Sequence, residues 1–340
     1  MRTPLHLTSQ QTLLVQSMRA FVSSEIQPLG ALANSQLLEL LESVAEFGLP
    51  SGAVATELGG LGLGWSSLAH LFEELVRGSD ELAGTVLANL LAAPLLAARD
   101  TPADDYLQDV LEGRRIVGFA LGPGLSTTRQ LDGFILDGTV ERLRNVSRAD
   151  LVICSADDGK GGLDCFLLDR QADRVDICHA HSSGNTSPLL SHMQITQTVL
   201  PVDRRLGDAT TIARLQDLRK LFEGLICVAK AQQVLDLVVE QARELTPGAI
   251  HSLLALHLAE MATAVMAARQ MILAGLQRLE EGQAAQANVR MASLLSSKTL
   301  AKVDQLAARI DPSHRSLAMT PYQAEHDADV QAIANALLQV

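Results

Sequence analysis

At 340 residues, with 47% hydrophobic and 19% charged residues, the chain has enough apolar material for a sizeable core and is not a disordered or solvating chain. A formal net charge of −12, with no Lys/Arg run, argues against a nucleic-acid backbone as partner. Aromatic residues make up only 3%, so Leu, Ala, Val and Ile must build the core, and Leu and Ala favour helix.

The N-terminal M-R-T-P-L-H-L-T lacks the apolar stretch of a signal peptide. Thr8 and Gln11 form a capping-box pattern ahead of Leu13, Leu14 and Met18, which predicts a helix start. The Gly-rich run over 59–64 predicts a turn, with the next helix beginning near Ser66. Glu73 and Glu74 are assigned to turn and helix surfaces. Leu82 to Ala98 is Ala-rich, contains Asn89 and Pro94, and falls short of about 20 strongly apolar residues, so it reads as a buried core helix and no membrane span is expected.

Between about 116 and 202 short apolar or alternating runs replace the helical period: 116–121, 133–143, 151–154, 165–168, 175–178 and 193–200. No segment long enough for a helical crossover intervenes, which predicts an antiparallel sheet or barrel. From about 209 helical spacing returns, with Leu254, Leu258, Met261, Val265, Ile272, Leu276 and Leu279 on one stripe that Gly282 ends. Further helices are expected near 284–309 and 323–338. The predicted fold class is therefore α+β, mainly α: an N-terminal helical domain (1–115), a central antiparallel β-barrel domain (116–207) and a C-terminal helical bundle (208–340). The four cysteines (Cys154, Cys165, Cys178, Cys227) show no metal-binding spacing, and His179 and His181 share a strand face without a third ligand, so no metal is expected. Such thiols fit a reducing, cytoplasmic compartment.

Residues 54–63, V-A-T-E-L-G-G-L-G-L, followed by F-E-E-L-V at 72–76, resemble the V-P-E-E-Y-G-G-L-G-L … L-E-E-L-A pattern of the acyl-CoA dehydrogenase family. Leu7–Thr12, Gly138-Thr139 … Asn145 … Ala149-Asp150, Leu168-Asp169, Val199–Gly207 and Leu258–Met261 resemble further family segments in the same order. The resemblance implies a helical domain, a β-barrel domain and a C-terminal four-helix bundle, with FAD as cofactor and an acyl-CoA thioester as substrate.

The flavin-holding segments are rewritten. The stretch A-L-G-P-G-L-S-T-T (120–128) stands for the family's longer A-L-T-E-P-G-x-G-S-D loop, and Arg142-Leu143-Arg144 for its W-I-T. By resemblance the cofactor-binding candidates are Leu121, Ser126, Thr127, Arg142, Arg144 and Asn145. R-E-L-T-P-G (243–248) replaces the family's R-K-x-F-G, and Ile310–His314 its G-G-x-G turn. The C-terminal Y-E-G-T base segment is missing. F-E-G-L-I-C-V-A (222–229) instead resembles the L-E-R-L-V-L-A-G of members that carry the base on an earlier helix, which makes Glu223 the catalytic candidate, with Gly224 where those members have Arg.

These departures resemble the short, incomplete subunit of heteromeric acyl-CoA dehydrogenases, such as those acting on steroid side-chain thioesters. They imply a partner that is a related dehydrogenase subunit or a second copy, with FAD bound in that complex. Two alternatives stay open: a non-catalytic thioester-binding or scaffold protein on the same fold, and a self-sufficient dehydrogenase using Glu223.

Overall fold

The computed structural model describes residues 8–30, 32, 34–98, 105–144, 146–179, 190–245, 252–311 and 333. Helices α1 (Ser9–Phe21), α2 (Asn34–Glu46), α3 (Trp65–Gly78), α4 (Asp80–Ala97) and α5 (Asp105–Leu111) precede the strands. The strands are β1 (Val117–Ala120), β2 (Leu125–Arg129), β3 (Gly133–Arg144), β4 (Leu151–Asp157), β5 (Leu163–Asp169), β6 (Asp176–His179), β7 (Leu190–Pro201) and β8 (Arg205–Asp208). Helices α6 (Ala209–Leu245), α7 (Ser252–Glu280) and α8 (Gln286–Ile310) follow. The chain divides into two compact units, one made of Met1–Pro28, Gly64–Asp80 and Asp217–Val340, the other of Leu29–Leu63 and Glu81–Gln216.

In the first unit α1 starts as its capping box predicts: the Gln11 N–H donates to Thr8 Oγ1 at 3.2 Å and the Thr8 N–H to Gln11 Oε1 at 2.9 Å. α3 meets α6 through aromatic edges, Trp65 and Phe72 standing 6.0 and 5.2 Å from Phe222 at steep angles. The two glutamates of α3 are not surface residues. Glu74 is buried and takes Arg19 Nη2 at 2.6 Å, with Arg77 Nε at 4.0 Å. Glu73 receives Arg269 of α7 through Nη2 and Nε at 2.6 and 3.1 Å, and Arg269 Nη2 also donates to Gln232 of α6 at 3.1 Å. The closest partners, Arg19 and Arg269, lie far along the chain, which is why local spacing left these carboxylates on the outside. α7 buries Met261, Val265, Ile272, Leu276 and Leu279. Gly282, at φ +68°, closes it, the Gln283 N–H reaching back to the Arg278 carbonyl at 2.9 Å. α6, α7 and α8 are the three long helices described here; the fourth helix expected near 323–338 lies outside the described residues except for Ile333.

In the second unit the Gly-rich turn is dictated by close backbone approach. A Cβ on Gly60 would stand 2.1 Å from the Val54 carbonyl oxygen, which the Gly62 N–H occupies at 2.8 Å. α4 is apolar around most of its circumference and largely buried; among the described residues it is the one helix long and apolar enough to cross a membrane. Its fully buried Asn89 is satisfied at both ends. Asn89 Oδ1 accepts from the Val117 N–H at 2.9 Å, and Nδ2 donates to the carbonyls of Arg115 at 2.8 Å and Val110 at 3.5 Å. One side chain thus pins the end of α5 and the start of β1 to α4.

The strands form one sheet in the order β6-β7-β3-β2-β4-β5-β8, with β1 beside β4. The antiparallel, closed barrel predicted from sequence needs correcting on two counts. First, the sheet is mixed: β1 runs parallel to β4 from Val117↔Leu151 to Ala120↔Cys154, and β2 meets β4 in parallel at Ser126↔Asp157. A helix is not the only way to make such a return. Here the β2–β3 hairpin and a 3-10 turn at Val146–Arg148 bring the chain back, and the Ile116 carbonyl fixes the start by accepting the Asp150 and Leu151 N–H groups at 2.8 and 3.1 Å. Second, the sheet is open among the described residues, because the short end strands β6 and β8 pair only with β7 and β5. Its inner face carries Leu125, Phe134, Leu136, Val140, Val152, Phe166, Met193 and Ile195 in one apolar cluster.

Candidate functional site

Glu223 lies on α6 in the first unit. The neighbouring Phe222 is fully buried against Trp65 and Phe72, which fixes the rotation of the helix and hence the direction of Glu223. The Glu223 side chain is 18% exposed, and its Oε1 accepts from Arg219 Nε, one turn earlier, at 2.8 Å. No second polar partner of this carboxylate appears among the described residues. One turn later Cys227 is buried; burial pushes its thiol up to about 12 and the Glu223 charge adds to the rise, so it flanks the carboxylate as a neutral, inert group. Asp217, earlier on α6, has a carboxyl raised by burial and opposed by Lys220 and Arg290. Arg219 was not singled out from sequence, although its spacing of four from Glu223 was the available signal.

The cofactor-binding candidates lie in the second unit. Leu121 belongs to a four-residue connection between β1 and β2, and its carbonyl accepts from Gln216 Nε2 at 3.4 Å. The next carbonyl, of Gly122, accepts from Ser155 Oγ at 3.3 Å. Gly124, at φ +124°, closes this connection onto β3; a Cβ there would stand 2.0 Å from the Thr139 carbonyl oxygen. Ser126 and Thr127 are not in a loop but inside β2, paired with Asp137 and Leu136 of β3. The alternation of Leu125 and Thr127 with Ser126 and Thr128, buried against exposed, was the signal for this strand.

The exposed Ser126 hydroxyl donates to the Asp137 carbonyl at 3.2 Å. Thr127 Oγ1 is buried and has no hydrogen-bond partner among the described residues. Arg142 falls where the β3–β7 register slips between Val140 and Leu143, a β-bulge, and Arg144 pairs with Leu190 at the strand end. Asn145 lies outside the described residues, as does His181. Among the described residues no group of three or more His, Cys, Asp or Glu could hold a metal ion.

A buried orphan hydroxyl is the mark of a missing polar partner. Of the cofactor-binding candidates whose side chains are described, Thr127 keeps an unclaimed polar atom that a cofactor could meet, whereas the Leu121 and Gly122 carbonyls and the Ser126 hydroxyl are already engaged within the fold.

An open mixed sheet in one unit, long helices in the other and a helical N-terminal region define an α+β architecture with known relatives. Residues 8–114 match the model of the acyl-CoA dehydrogenase N-terminal domain. The chain is similar to glutaryl-coenzyme A dehydrogenase in its glutaryl-CoA complex, with TM-score 0.86, 20% identity, and 99% and 97% of the two chains covered. It is similar to PigA with FAD and proline, with TM-score 0.83, 20% identity, and 98% and 99% covered. A ChsE4–ChsE5 complex of Mycobacterium tuberculosis matches with TM-score 0.82, 18% identity, and 99% and 100% covered. No curated protein sequence matches the chain. Residues 8–114 thus match the N-terminal domain of that family, and the whole chain has the fold of the acyl-CoA dehydrogenases.

Proposed function

We propose that this chain is a subunit of a heteromeric, FAD-dependent enzyme that α,β-desaturates an acyl-CoA thioester, and that Glu223 is the carboxylate it contributes. The observation that carries this reading is the Glu223 side chain itself: half-buried, held through one oxygen by Arg219, and with no second polar partner among the described residues. A base needs one oxygen fixed and the other available for the proton it removes. FAD, when bound, supplies the acceptor for the hydride that leaves the β-carbon. Thr127 would hold a polar edge of that group through its unclaimed hydroxyl.

The need for a partner is supported by the described candidates, among which Ser126 and the Leu121 and Gly122 carbonyls are taken. It is also supported by leucines left outside on the C-terminal helices, where Leu237, Leu253 and Leu256 are 43%, 54% and 53% exposed. Large apolar side chains on a helix surface suit a subunit interface. Four free cysteines, one of them exposed, suit a cytoplasmic setting.

The same engaged groups also favour a second reading, a non-catalytic thioester-binding or scaffold protein. Purification separates them. The chain alone should be colourless, and it should carry flavin that bleaches with an acyl-CoA when co-expressed with a second subunit of this fold. A preparation colourless in both cases supports the scaffold reading and overturns the enzymatic one.

A further inference from the structure

We infer that Arg219 is the positioning residue of Glu223, supplying from the preceding turn the cation that orients its carboxylate; this rests on the reading of Glu223 as a base. The pair is poorly explained as a helix-surface salt bridge. An acid preceding a base by four residues is the order that supports a helix, and here the base comes first. Both side chains are partly buried, at 31% and 18% exposure, so the contact is shielded more than a solvated surface pair.

Nor does the next position in the chain offer a cation, and it is crowded for any side chain. Gly224 packs against the neighbouring helices, and a Cβ there would meet Ser296 Oγ at 3.1 Å and Ile272 Cδ1 at 3.5 Å. Phe222, on the other side, is spent on the aromatic contacts to Trp65 and Phe72. Cys227, one turn further on, is buried and neutral. The turn before is the one direction along α6 from which charge reaches this carboxylate. Arg219 holds Oε1 through Nε, a donor of fixed direction in a planar group, and Oε2 is left for a proton. In the step assigned to Glu223, the α-C–H bond of the thioester breaks, its electron pair moves toward the thioester carbonyl oxygen, and the proton goes to Oε2.

The test uses octanoyl-CoA as probe, with the chain purified as it comes, alone or in its co-purified complex. Two quantities are read: hydrogen exchange at the α-carbon in D2O, and turnover of the flavin-loaded preparation. Arg219→Gln should lower kcat and the exchange rate about 100-fold at unchanged KM, the cost of a misplaced catalytic group. Arg219→Lys should lose less than about tenfold, and guanidinium added to Arg219→Ala should restore part of the rate, since a mobile cation replaces the lost one. Trp65 fluorescence checks that each variant is folded. In the chain labelled with 13C at its glutamate carboxyls, the resonance that vanishes in Glu223→Gln should move in Arg219→Gln and stay in place in Arg219→Lys. Arg219 variants with wild-type rates and an unmoved resonance, beside an inactive Glu223→Gln, would overturn the positioning role and leave Glu223 as base. Wild-type rates in Glu223→Gln, or neither exchange nor turnover in any preparation, would overturn both.

Discussion

Replacing Asn89 with leucine removes a side chain of similar size from the middle of α4 while keeping the helix apolar. The change strips the buried Val117 N–H of its acceptor, and the Arg115 and Val110 carbonyls of their donor. A buried donor left without a partner costs about 1–3 kcal/mol. The Arg115 carbonyl, only part-buried, adds about 1 kcal/mol, and the 3.5 Å contact to Val110 is too long to add much. The greater apolarity of leucine offsets part of this, so the expected loss is about 2–3 kcal/mol, a sizeable share of the roughly 5–15 kcal/mol that keeps a domain folded. Urea unfolding followed by far-UV circular dichroism and Trp65 fluorescence measures it.

Asn89→Asp adds a sign. It keeps an acceptor for Val117 but sets a carboxylate against two carbonyls, which disfavours the charged form in the folded state. The aspartate is then easier to protonate when folded than when unfolded. Stability should therefore be best below the ordinary carboxylate range and fall as pH rises through the raised folded value. Asn89→Leu within about 0.5 kcal/mol of the wild type, the range of a neutral surface change, would refute the reasoning.

Thr127→Val should stabilise the flavin-free chain by about 1 kcal/mol, because it removes an unpaired buried hydroxyl, and should weaken flavin retention in the complex; a variant that loses stability contradicts the assignment. Glu74→Ala removes the carboxylate that takes Arg19, itself 48% exposed, while Arg77 keeps Asp236 at 2.9 Å, and should cost about 1–2 kcal/mol by chemical denaturation; an effect near zero would contradict the burial of Glu74. Burial pushes the thiols of Cys165 and Cys227 up to about 12, and that of Cys154 higher still. A thiol reagent at pH 8 should therefore label Cys178 alone in the native protein and all four cysteines after unfolding. Rapid native labelling of a second cysteine would contradict the packing.

Local signals in the sequence carried much of the fold. The Thr8–Gln11 box, the α7 stripe ended by Gly282, and the apolar runs of most strands are patterns within a few residues, and these are legible as spacing. What stayed hidden depends on partners far along the chain. Glu73 meets Arg269 across 196 residues and Glu74 meets Arg19 across 55, so neither carboxylate announces its burial. The parallel β1–β4 pairing escaped because a hairpin and a short turn, rather than a helix, make the crossover. β2 went unread because its residues were assigned by resemblance to a cofactor loop, although Leu125 and Thr127 alternate as a strand should. Of the candidate site, the spacing of Arg219 and Glu223 was open to inspection, but which Glu223 oxygen is held, and what crowds a side chain at Gly224, follow from packing alone.

The most direct measurement is the flavin absorbance of the chain expressed alone and with a second subunit of the same fold, before and after an acyl-CoA is added. The proposed role predicts no flavin band from the chain alone, and a band in the complex that bleaches with the thioester. A bleachable band from the isolated chain would contradict it.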